Sequence, residues 1–328
     1  LSDNDNNTMN VSVRWYNNSI FKFQFDYNNS YLNGTWFNAT LGHLNTTKGE
    51  NWSCGMRLFD GKEYTSWVNS TNLTILNSLP NVTLILPPNG NVTIDRTPNF
   101  TWYAVDDDND TVTSWLNLTC YIGGNFCSGD NRFINISGAS NINVSYKVVG
   151  DLQYLSDDSY YYNWSVRAND SAVGFSSWTN DWRINIQSYV AINLTTDVVN
   201  FGNMIKGSND TTSGGPPFPF VLVNTGNVFV NVTMNASDLW TSLGNANPTS
   251  NYQFKIDNFT GQGGAFNWPW SITTFTNVPN STNMLKAISG FNYTLGRNTA
   301  EIDINITVPL TEGAGVKSST ITFVASRT

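Results

Sequence analysis

The strongest constraint on the fold is a short stretch, residues 160–168, with the sequence YYYNWSVRA. Every second side chain from Tyr160 to Ala168 is apolar or aromatic, whereas Asn163 and Arg167 lie in the alternate row. This period of two predicts a β-strand with one buried face and one hydrated face. The hydrated row carries Asn163-Trp164-Ser165, which is an N-glycosylation sequon.

The composition limits the class of protein. A chain of 328 residues is long enough for two or three domains. Only 12% of its residues are charged, against about 25% in a typical soluble domain. The net charge of -8 disfavours a nucleic-acid partner, because phosphates would not be neutralised. No run of about 18 apolar residues occurs, so the sequence predicts no membrane-spanning segment.

Sequons are the most conspicuous feature of the composition. About 27 Asn-x-Ser/Thr triplets occur, where chance in a chain this rich in Asn, Ser and Thr gives about ten. In several alternating stretches the neighbours two positions from the Asn are apolar, so the Asn side chain points outward. The predicted glycosylation sites are Asn10, Asn33, Asn38, Asn51, Asn69, Asn81, Asn91, Asn99, Asn117, Asn135, Asn143, Asn163, Asn193, Asn231, Asn235, Asn258, Asn280, Asn292 and Asn305. These sites predict a glycan-coated extracellular protein.

Helix signals are almost absent, and short alternating runs recur about every 8–12 residues between turn residues. This pattern predicts an all-β chain of three tandem β-sandwich domains, immunoglobulin-like or fibronectin type III-like. Turn-rich boundaries divide it into residues 1–78, 79–187 and 188–328.

The first segment is expected to form strands at residues 9–16, 21–27, 35–41, 52–59 and 68–76. The patterns VRWYNN at 13–18, NWSC at 51–54 and FDG at 59–61 resemble immunoglobulin-like repeats of prokaryotic surface proteins. Such repeats have a strand before their acidic loop, whereas this sequence starts at that loop, residues 3–7. The resemblance therefore implies an immunoglobulin-like β-sandwich that lacks a first strand.

The second segment contains Pro-x-Phe-x-Trp at 98–102, Tyr-x-Trp-x-Val-x-Ala at 162–168 and Ser-x-Trp within 176–178. Together these motifs resemble a fibronectin type III domain, which implies a binding or spacer module. The third segment, with VVNFGN at 198–203, a strand at 220–224 and TGN at 225–227, resembles β-sandwich domains of bacterial and archaeal surface proteins and fibre subunits. Residues 300–309 and 318–325 are its expected closing pair of strands. Heavy N-glycosylation with such repeats is typical of an archaeal cell surface.

Three cysteines are present. Cys120 and Cys127 bracket a predicted hairpin, which favours a local disulfide; the alternative is a pair of free thiols. Cys54 is either buried and free or paired with a group outside this chain.

The acidic run Asp106, Asp107, Asp108 and Asp110 is the best candidate for chemistry. Carboxylates packed this closely suit Ca²⁺, which takes six to eight oxygen ligands. The alternative is a solvated acidic turn. Residues 3–8 repeat the pattern of residues 106–111 at a spacing of about one domain, with fewer carboxylates.

The aromatic residues divide into two groups. Trp15, Trp102 and Trp164 are expected in cores because each lies on an apolar face. Trp268 and Trp270 flank a proline near a Gly-rich loop and are predicted to be exposed contacts for a partner or a glycan.

The sequence predicts no enzyme. Its single histidine, His43, lies in an expected loop, and no nucleophile elbow, zinc-binding His pair or phosphate loop occurs. Paired carboxylates for glycoside hydrolysis remain open, because distances in space are not readable from the sequence.

The leading functional hypothesis is a structural subunit of an extracellular, N-glycosylated filament or surface layer, assembled by strand donation. The donor is either another subunit or sequence preceding Leu1 in a longer chain. The partners are then other copies, other surface proteins or glycans. No cofactor is required, N-linked glycans are expected, and Ca²⁺ is a candidate ligand. The alternatives are an adhesin or glycan-binding module, and the non-catalytic part of a secreted hydrolase.

Overall fold

The computed structural model describes residues 1–2, 4, 8–170, 174–242 and 247–328. Within these ranges the protein is built of β-strands, with 3₁₀ turns at His43–Asn45, Ser156–Asp158 and Trp268–Trp270. The strands form five sheets: one in the first segment, two in the second and two in the third, and the strands of each pair of sheets interleave along the chain. The predicted all-β class and tandem β-sandwich architecture are confirmed.

The first segment forms one sheet in the order β2-β1-β3-β4, with β5 also paired to β3. Its strands are β1 (Thr8–Asn17), β2 (Ile20–Leu32), β3 (Asn51–Phe59), β4 (Val68–Asn69) and β5 (Leu73–Thr74). Among the described residues of this segment no second sheet faces it. The segment therefore presents one layer of the expected sandwich.

Two strands predicted in this segment differ in the structure. Residues 35–41 are not a strand, because the chain leaves the sheet after β2 and Phe37 packs on the rings of Tyr27 and Tyr31. Residues 68–76 split into β4 and β5, because Ser70 bonds the backbone of Cys54 through both its amide and its hydroxyl. Ser and Thr favour such local bonds over a continuous ladder.

The second segment is a complete sandwich. One sheet has the order β10-β9-β13-β14-β7 with β11 paired to β9, and the other has the order β12-β8-β6. The strands are β6 (Asn81–Leu86), β7 (Asn91–Thr93), β8 (Asn99–Val105), β9 (Val112–Ile122), β10 (Asn125–Phe126), β11 (Arg132–Gly138), β12 (Ile142–Lys147), β13 (Tyr160–Asn169) and β14 (Trp182–Ile186). Phe100 of β8 meets Trp164 of β13 edge to face at 4.9 Å, which joins the two sheets.

The alternating stretch at 160–168 is the central strand β13. Tyr162, Trp164, Val166 and Ala168 are fully buried, as the alternation predicts. The hydrated row was predicted less well, because Ser165 is only 4% exposed. Its strand lies between β9 and β14, so long neighbouring side chains cover the short serine.

The third segment is also a two-sheet sandwich, with sheet orders β15-β17-β22-β19-β20, to which β16 adds on β22, and β21-β18-β23. Its strands are β15 (Ile192–Thr196), β16 (Asn209–Thr211), β17 (Phe220–Asn224), β18 (Val230–Ala236), β19 (Tyr252–Asn258), β20 (Thr276–Asn277), β21 (Leu285–Phe291), β22 (Thr299–Thr307) and β23 (Ile321–Arg327). The expected closing strands do not pair with each other, because β22 and β23 belong to opposite sheets.

The second and third segments are joined by a dense set of contacts. The Asn227 side-chain amide donates to the carbonyls of Ile94 (2.7 Å) and Gln187 (2.9 Å), and its oxygen accepts from the Tyr189 amide. The buried apolar residues of both segments form one continuous cluster. Met9, Val11, Val13 and Trp52 are buried as well, but they lie outside this cluster.

Candidate functional site

The first sheet repeats one sheet of the second domain. The order β2-β1-β3 matches β11-β9-β13. Both β3 and β13 contain Asn-Trp-Ser, at Trp52 and Trp164, and both are followed by an aspartate, Asp60 and Asp170. Because Trp164 faces β8 across the sandwich, the Trp52 side of the first sheet is the face that an opposing sheet would cover.

This inner face is strongly apolar. It consists of alternate residues of the three long strands: Val11, Val13 and Trp15 of β1, Phe23, Phe25 and Tyr27 of β2, and Trp52, Cys54, Met56 and Leu58 of β3. Val11, Val13 and Trp52 are buried at its centre, whereas Phe25 remains 46% exposed. Trp15, expected in a core, is only partly buried. The free thiol of Cys54 lies on the same partly exposed face.

The opposing sheet begins at one edge of this face but does not continue among the described residues. The Leu1 amino group donates to the Thr35 carbonyl (3.0 Å), and the Gly34 amide donates to the Leu1 carbonyl (2.9 Å). The second domain has the same bond where β8 meets β12, from the Asn141 amide to the Ala104 carbonyl at 2.8 Å. There the pairing continues along both strands.

The outer face of the first sheet, by contrast, is closed by its own side chains. The Arg57 guanidinium lies 3.9 Å from the Tyr64 ring centre and 4.8 Å from that of Trp67, and Arg14 covers Trp67 at 4.2 Å. Such cation–π contacts hold the arginines flat against the sheet. The aromatic side chains of this face are therefore internal contacts of the sheet.

The second domain has the same arrangement, in which Arg167 of β13 covers Phe175 (4.0 Å) and Trp178 (4.7 Å). The backbone bonds repeat too: Ser176 pairs with Ala168 in the second domain as Thr65 pairs with Leu58 in the first. The signal in the sequence, aromatic-Ser/Thr-Ser-Trp at 64–67 and 175–178, was missed in the sequence analysis.

The acidic run is only partly assembled. Asp106 and Asp110 come together with Asp170, a residue that the sequence analysis did not select, and one oxygen of each lies within 4.8 Å of the others. Asp107 is exposed outside this group. Asp108 instead accepts hydrogen bonds from the backbone amide and the hydroxyl of Ser78, each at 2.7 Å. Asp3 and Asp5, the weaker candidates, lie outside the described residues.

The tryptophan pair lies in the 3₁₀ turn of the third domain. Trp268 is 43% exposed and stacks on Phe266 with ring centres 5.7 Å apart. Trp270 is 71% exposed. The free aromatic face in this turn thus belongs to Trp270.

The asparagines of the predicted sequons are all exposed or partly exposed. Asn163 lies on the outer side of β13 between Thr119 and Arg183 of the flanking strands. The side-chain nitrogens of Asn235 and Asn305 already donate, to the Ser281 carbonyl (2.8 Å) and to Gln253 Oε1 (3.2 Å). A glycan at either of these two positions would replace that hydrogen bond.

Cys120 and Cys127 form a disulfide across the β9–β10 hairpin, with Cα atoms 5.4 Å apart. Disulfides are typical of extracellular proteins. Within the described residues, no helix is long and apolar enough to span a membrane.

No protein-family model matches the sequence, and no curated protein matches it significantly. Among solved structures, the alpha chain of the chicken interferon gamma receptor aligns at 10% identity over 55% of this chain and 86% of its own, with a TM-score of 0.31. Domains FN1–FN3 of chicken CNTN1 align at 10% identity over 100% of this chain and 91% of their own, with a TM-score of 0.28.

An alpha-L-rhamnosidase from Dictyoglumus thermophilum aligns at 10% identity over 76% of this chain and 28% of its own, with a TM-score of 0.23. Scores this low carry no functional inference. The class of the protein therefore rests on its own sheets: it is an all-β chain of tandem β-sandwich domains.

Proposed function

We propose that this protein is a non-catalytic structural subunit of an extracellular, N-glycosylated filament or cell-surface layer, whose first domain is completed by strands from a neighbouring subunit. The observation that carries this proposal is the inner face of the first sheet. Its apolar rows match those that β8 and β12 cover in the second domain.

Covering this face is energetically favourable. Burial of one large apolar side chain such as Phe25 or Leu58 contributes about 1.5–3 kcal/mol. An added strand can also continue the pairing that begins between Leu1 and Thr35, which supplies backbone hydrogen bonds. Donated strands would thus bury apolar surface and extend the backbone pairing in a defined register.

Polymerisation of the purified full chain tests the proposal. Electron microscopy at high protein concentration should show filaments or sheets, and Phe25→Ser should weaken assembly because it removes exposed apolar area at the centre of the contact. Phe218→Ser is the matched control, since Phe218 is 70% exposed but lies in the third domain. Monomers only, at every concentration, would contradict assembly between subunits.

The glycosylated surface is tested independently of assembly. Intact-mass measurement of material from the native source, before and after enzymatic or chemical deglycosylation, should show a large loss of mass. Asn163→Gln should remove one glycan. A mass that does not change on deglycosylation would contradict the extracellular assignment.

A second candidate function is glycan binding by an adhesin, which is favoured by the exposed ring of Trp270. Aromatic rings bind sugars by stacking on their apolar faces. A glycan array should then give hits that Trp270→Ala abolishes, while Trp36→Ala, at a still more exposed position in the first domain, leaves them unchanged.

A further inference from the structure

Three carboxylates converge at the end of the second domain nearest the first sheet. Asp106 and Asp110 lie between β8 and β9, and Asp170 follows β13. One oxygen of each lies within 4.8 Å of the others. Since β8 and β13 belong to opposite sheets, this group, here called the Asp triad, bridges the sandwich.

Asp106 has one carboxylate oxygen without a partner. Its Oδ1 accepts from the backbone amides of Asp108 (3.0 Å) and Asp110 (3.1 Å), which fixes the orientation of the side chain. Its Oδ2 is buried and has no hydrogen-bond donor among the described residues, and Asp106 is only 2% exposed. A buried carboxylate oxygen without a partner is costly, and a cation bound there would supply one.

The charge balance at this site is also incomplete. The ammonium group of Lys48, from the first segment, pairs with Asp110 and also donates to Asn77 Oδ1 at 3.1 Å. Lys48 thus contributes one positive charge beside three carboxylates, whose mutual repulsion a divalent cation would relieve.

We propose that the Asp triad binds one Ca²⁺ ion. The available ligand atoms are carboxylate and amide oxygens, without nitrogen or sulfur donors, and such sets suit hard cations. Asp106 Oδ2 and one oxygen each from Asp110 and Asp170 form the protein part of the site, and water fills the remaining positions. Asp107 takes no part, because its side chain is exposed outside the group.

Binding at this position would act on the junction between the first two domains. Asn77 donates from its side-chain nitrogen to Asp170, Ser78 bonds to Asp108, and Lys48 bonds to Asp110. The ion would compete with Lys48 for Asp110 while tightening the loops that hold Asn77 and Ser78. The site does not depend on the assembly proposed above, since all its ligands come from one chain.

Calorimetric titration of the chelator-treated full chain with CaCl₂ tests the site. We expect one bound ion, with a dissociation constant of about 10⁻⁶–10⁻³ M, and a melting temperature that rises with Ca²⁺ concentration. Asp106→Asn and Asp170→Asn should each weaken binding by about tenfold or more, because one charged ligand is lost. Lys48→Met should strengthen it by removing the competing cation.

Asp107→Asn is the matched control, because it removes a charge from the same loop without touching the triad. If Asp106→Asn does not fold, Asp110→Asn, on a side chain that is 23% exposed, gives the same comparison. The proposal is overturned if millimolar Ca²⁺ produces neither heat nor a rise in melting temperature. It is also overturned if Asp107→Asn weakens binding as much as the triad variants do.

Discussion

Tyr162 joins β13 to two other segments of the second domain through its hydroxyl group. Its hydroxyl donates to Asp130 Oδ2 (2.5 Å) and accepts from the Tyr154 amide (3.1 Å). Asp130 in turn forms an ion pair with Arg132 at 2.6 Å. Burial, followed by the hydrogen bond to Asp130, raises the pKa of Tyr162, so the hydroxyl remains protonated and keeps donating.

We predict that Tyr162→Phe destabilises the protein by about 1–3 kcal/mol, because a carboxylate and a backbone amide lose a buried partner. Urea denaturation measures the change. Tyr146→Phe is the control, since the Tyr146 hydroxyl has no hydrogen bond among the described residues, and its effect should stay within about 0.5 kcal/mol. Equal losses in both variants would contradict a specific contribution from the two hydrogen bonds of Tyr162.

Gly226 lies where two chain segments meet too closely for a side chain. A Cβ atom there would lie 2.2 Å from the Tyr189 carbonyl oxygen. We predict that Gly226→Ala lowers the free energy of unfolding by about 1–3 kcal/mol, because the backbone of the junction must move apart. Thermal unfolding measures it. Gly313→Ala, with open space around its Cβ position, should leave the melting temperature unchanged.

At the residue scale, the sequence predicts well which face of a strand a side chain lies on, but it predicts poorly which residues that side chain contacts. Alternation correctly placed Tyr162 and Trp164 in the core, because a strand fixes which side each residue faces. It could not show that Tyr162 meets Asp130, since the two are 32 positions apart and only the fold joins them. Asp170 was missed in the acidic site for the same reason.

At the scale of elements, the connection between β22 and β23 is held by a single glutamate. Glu312 is buried and accepts from the Thr241 hydroxyl (2.6 Å) and the Ser242 amide (3.0 Å), and it pairs with Lys317 at 2.5 Å. The hydrogen bond from Lys317, then that from Thr241, holds the pKa of Glu312 well below its ordinary value. The ion pair and hydrogen bonds of Glu312 thus fix the conformation of the segment between β22 and β23.

This pKa shift predicts a pH dependence. Because the folded state lowers the pKa of Glu312, its stabilising effect is complete above the ordinary value of 4.5 and declines as the pH falls below it. The melting temperature of the wild-type protein should therefore be higher than that of Glu312→Gln at pH 7, and this difference should be smaller at pH 3. Glu63→Gln, on an exposed turn, is the control. A difference in melting temperature that does not change with pH would contradict the stabilising role of the ionised Glu312 carboxylate.

Elements with long alternating runs were predicted correctly, whereas short ones were not. β1 and β3 are close to their expected bounds, because each has both an apolar row and a pairing partner on either side. Residues 35–41 have a strand-like sequence but no strand beside them to pair with among the described residues. A β-strand is stabilised by the strands that pair with it, and a single sequence does not show which segments will pair.

At the scale of the whole molecule, the two junctions between domains differ in kind. The junction between the second and third domains combines hydrogen bonds from Asn227 with a continuous apolar cluster. The junction before the second domain relies on Lys48, Asn77, Ser78 and carboxylates. Polar junctions are more sensitive to ions than apolar ones. We therefore expect the contacts that hold the first domain to be more sensitive to ionic strength than those between the second and third domains.

The three-domain division follows turn-rich boundaries in the sequence, but the single-layer first domain could not have been deduced there. Its apolar rows are as regular as those of the second domain, so the pattern predicts burial on one face. Whether another sheet covers that face depends on which strands are available. This is why the exposed inner face, the main support for assembly, was found only in the structure.

We predict that the unassembled chain unfolds locally in its first domain before the other two. The sheet of β1 and β3 is covered by cation–π contacts on its outer face, whereas the sheet of β9 and β13 has such contacts and is also packed against an opposing sheet. Because local opening costs less where little apolar surface is buried, amides of β1 and β3 should exchange hydrogen faster than those of β9 and β13. Hydrogen exchange followed by mass spectrometry resolves the two sheets within one sample.

Hydrogen exchange measured on assembled material tests whether donated strands stabilise the first sheet. If donated strands cover the inner face, protection of β1 and β3 should rise on assembly, while protection of β9 and β13, already packed, stays constant. The variant Phe25→Ser should show no such rise. Equal protection of the two sheets in monomers would mean that the first sheet is stable alone, and the physical reason for strand donation would then disappear.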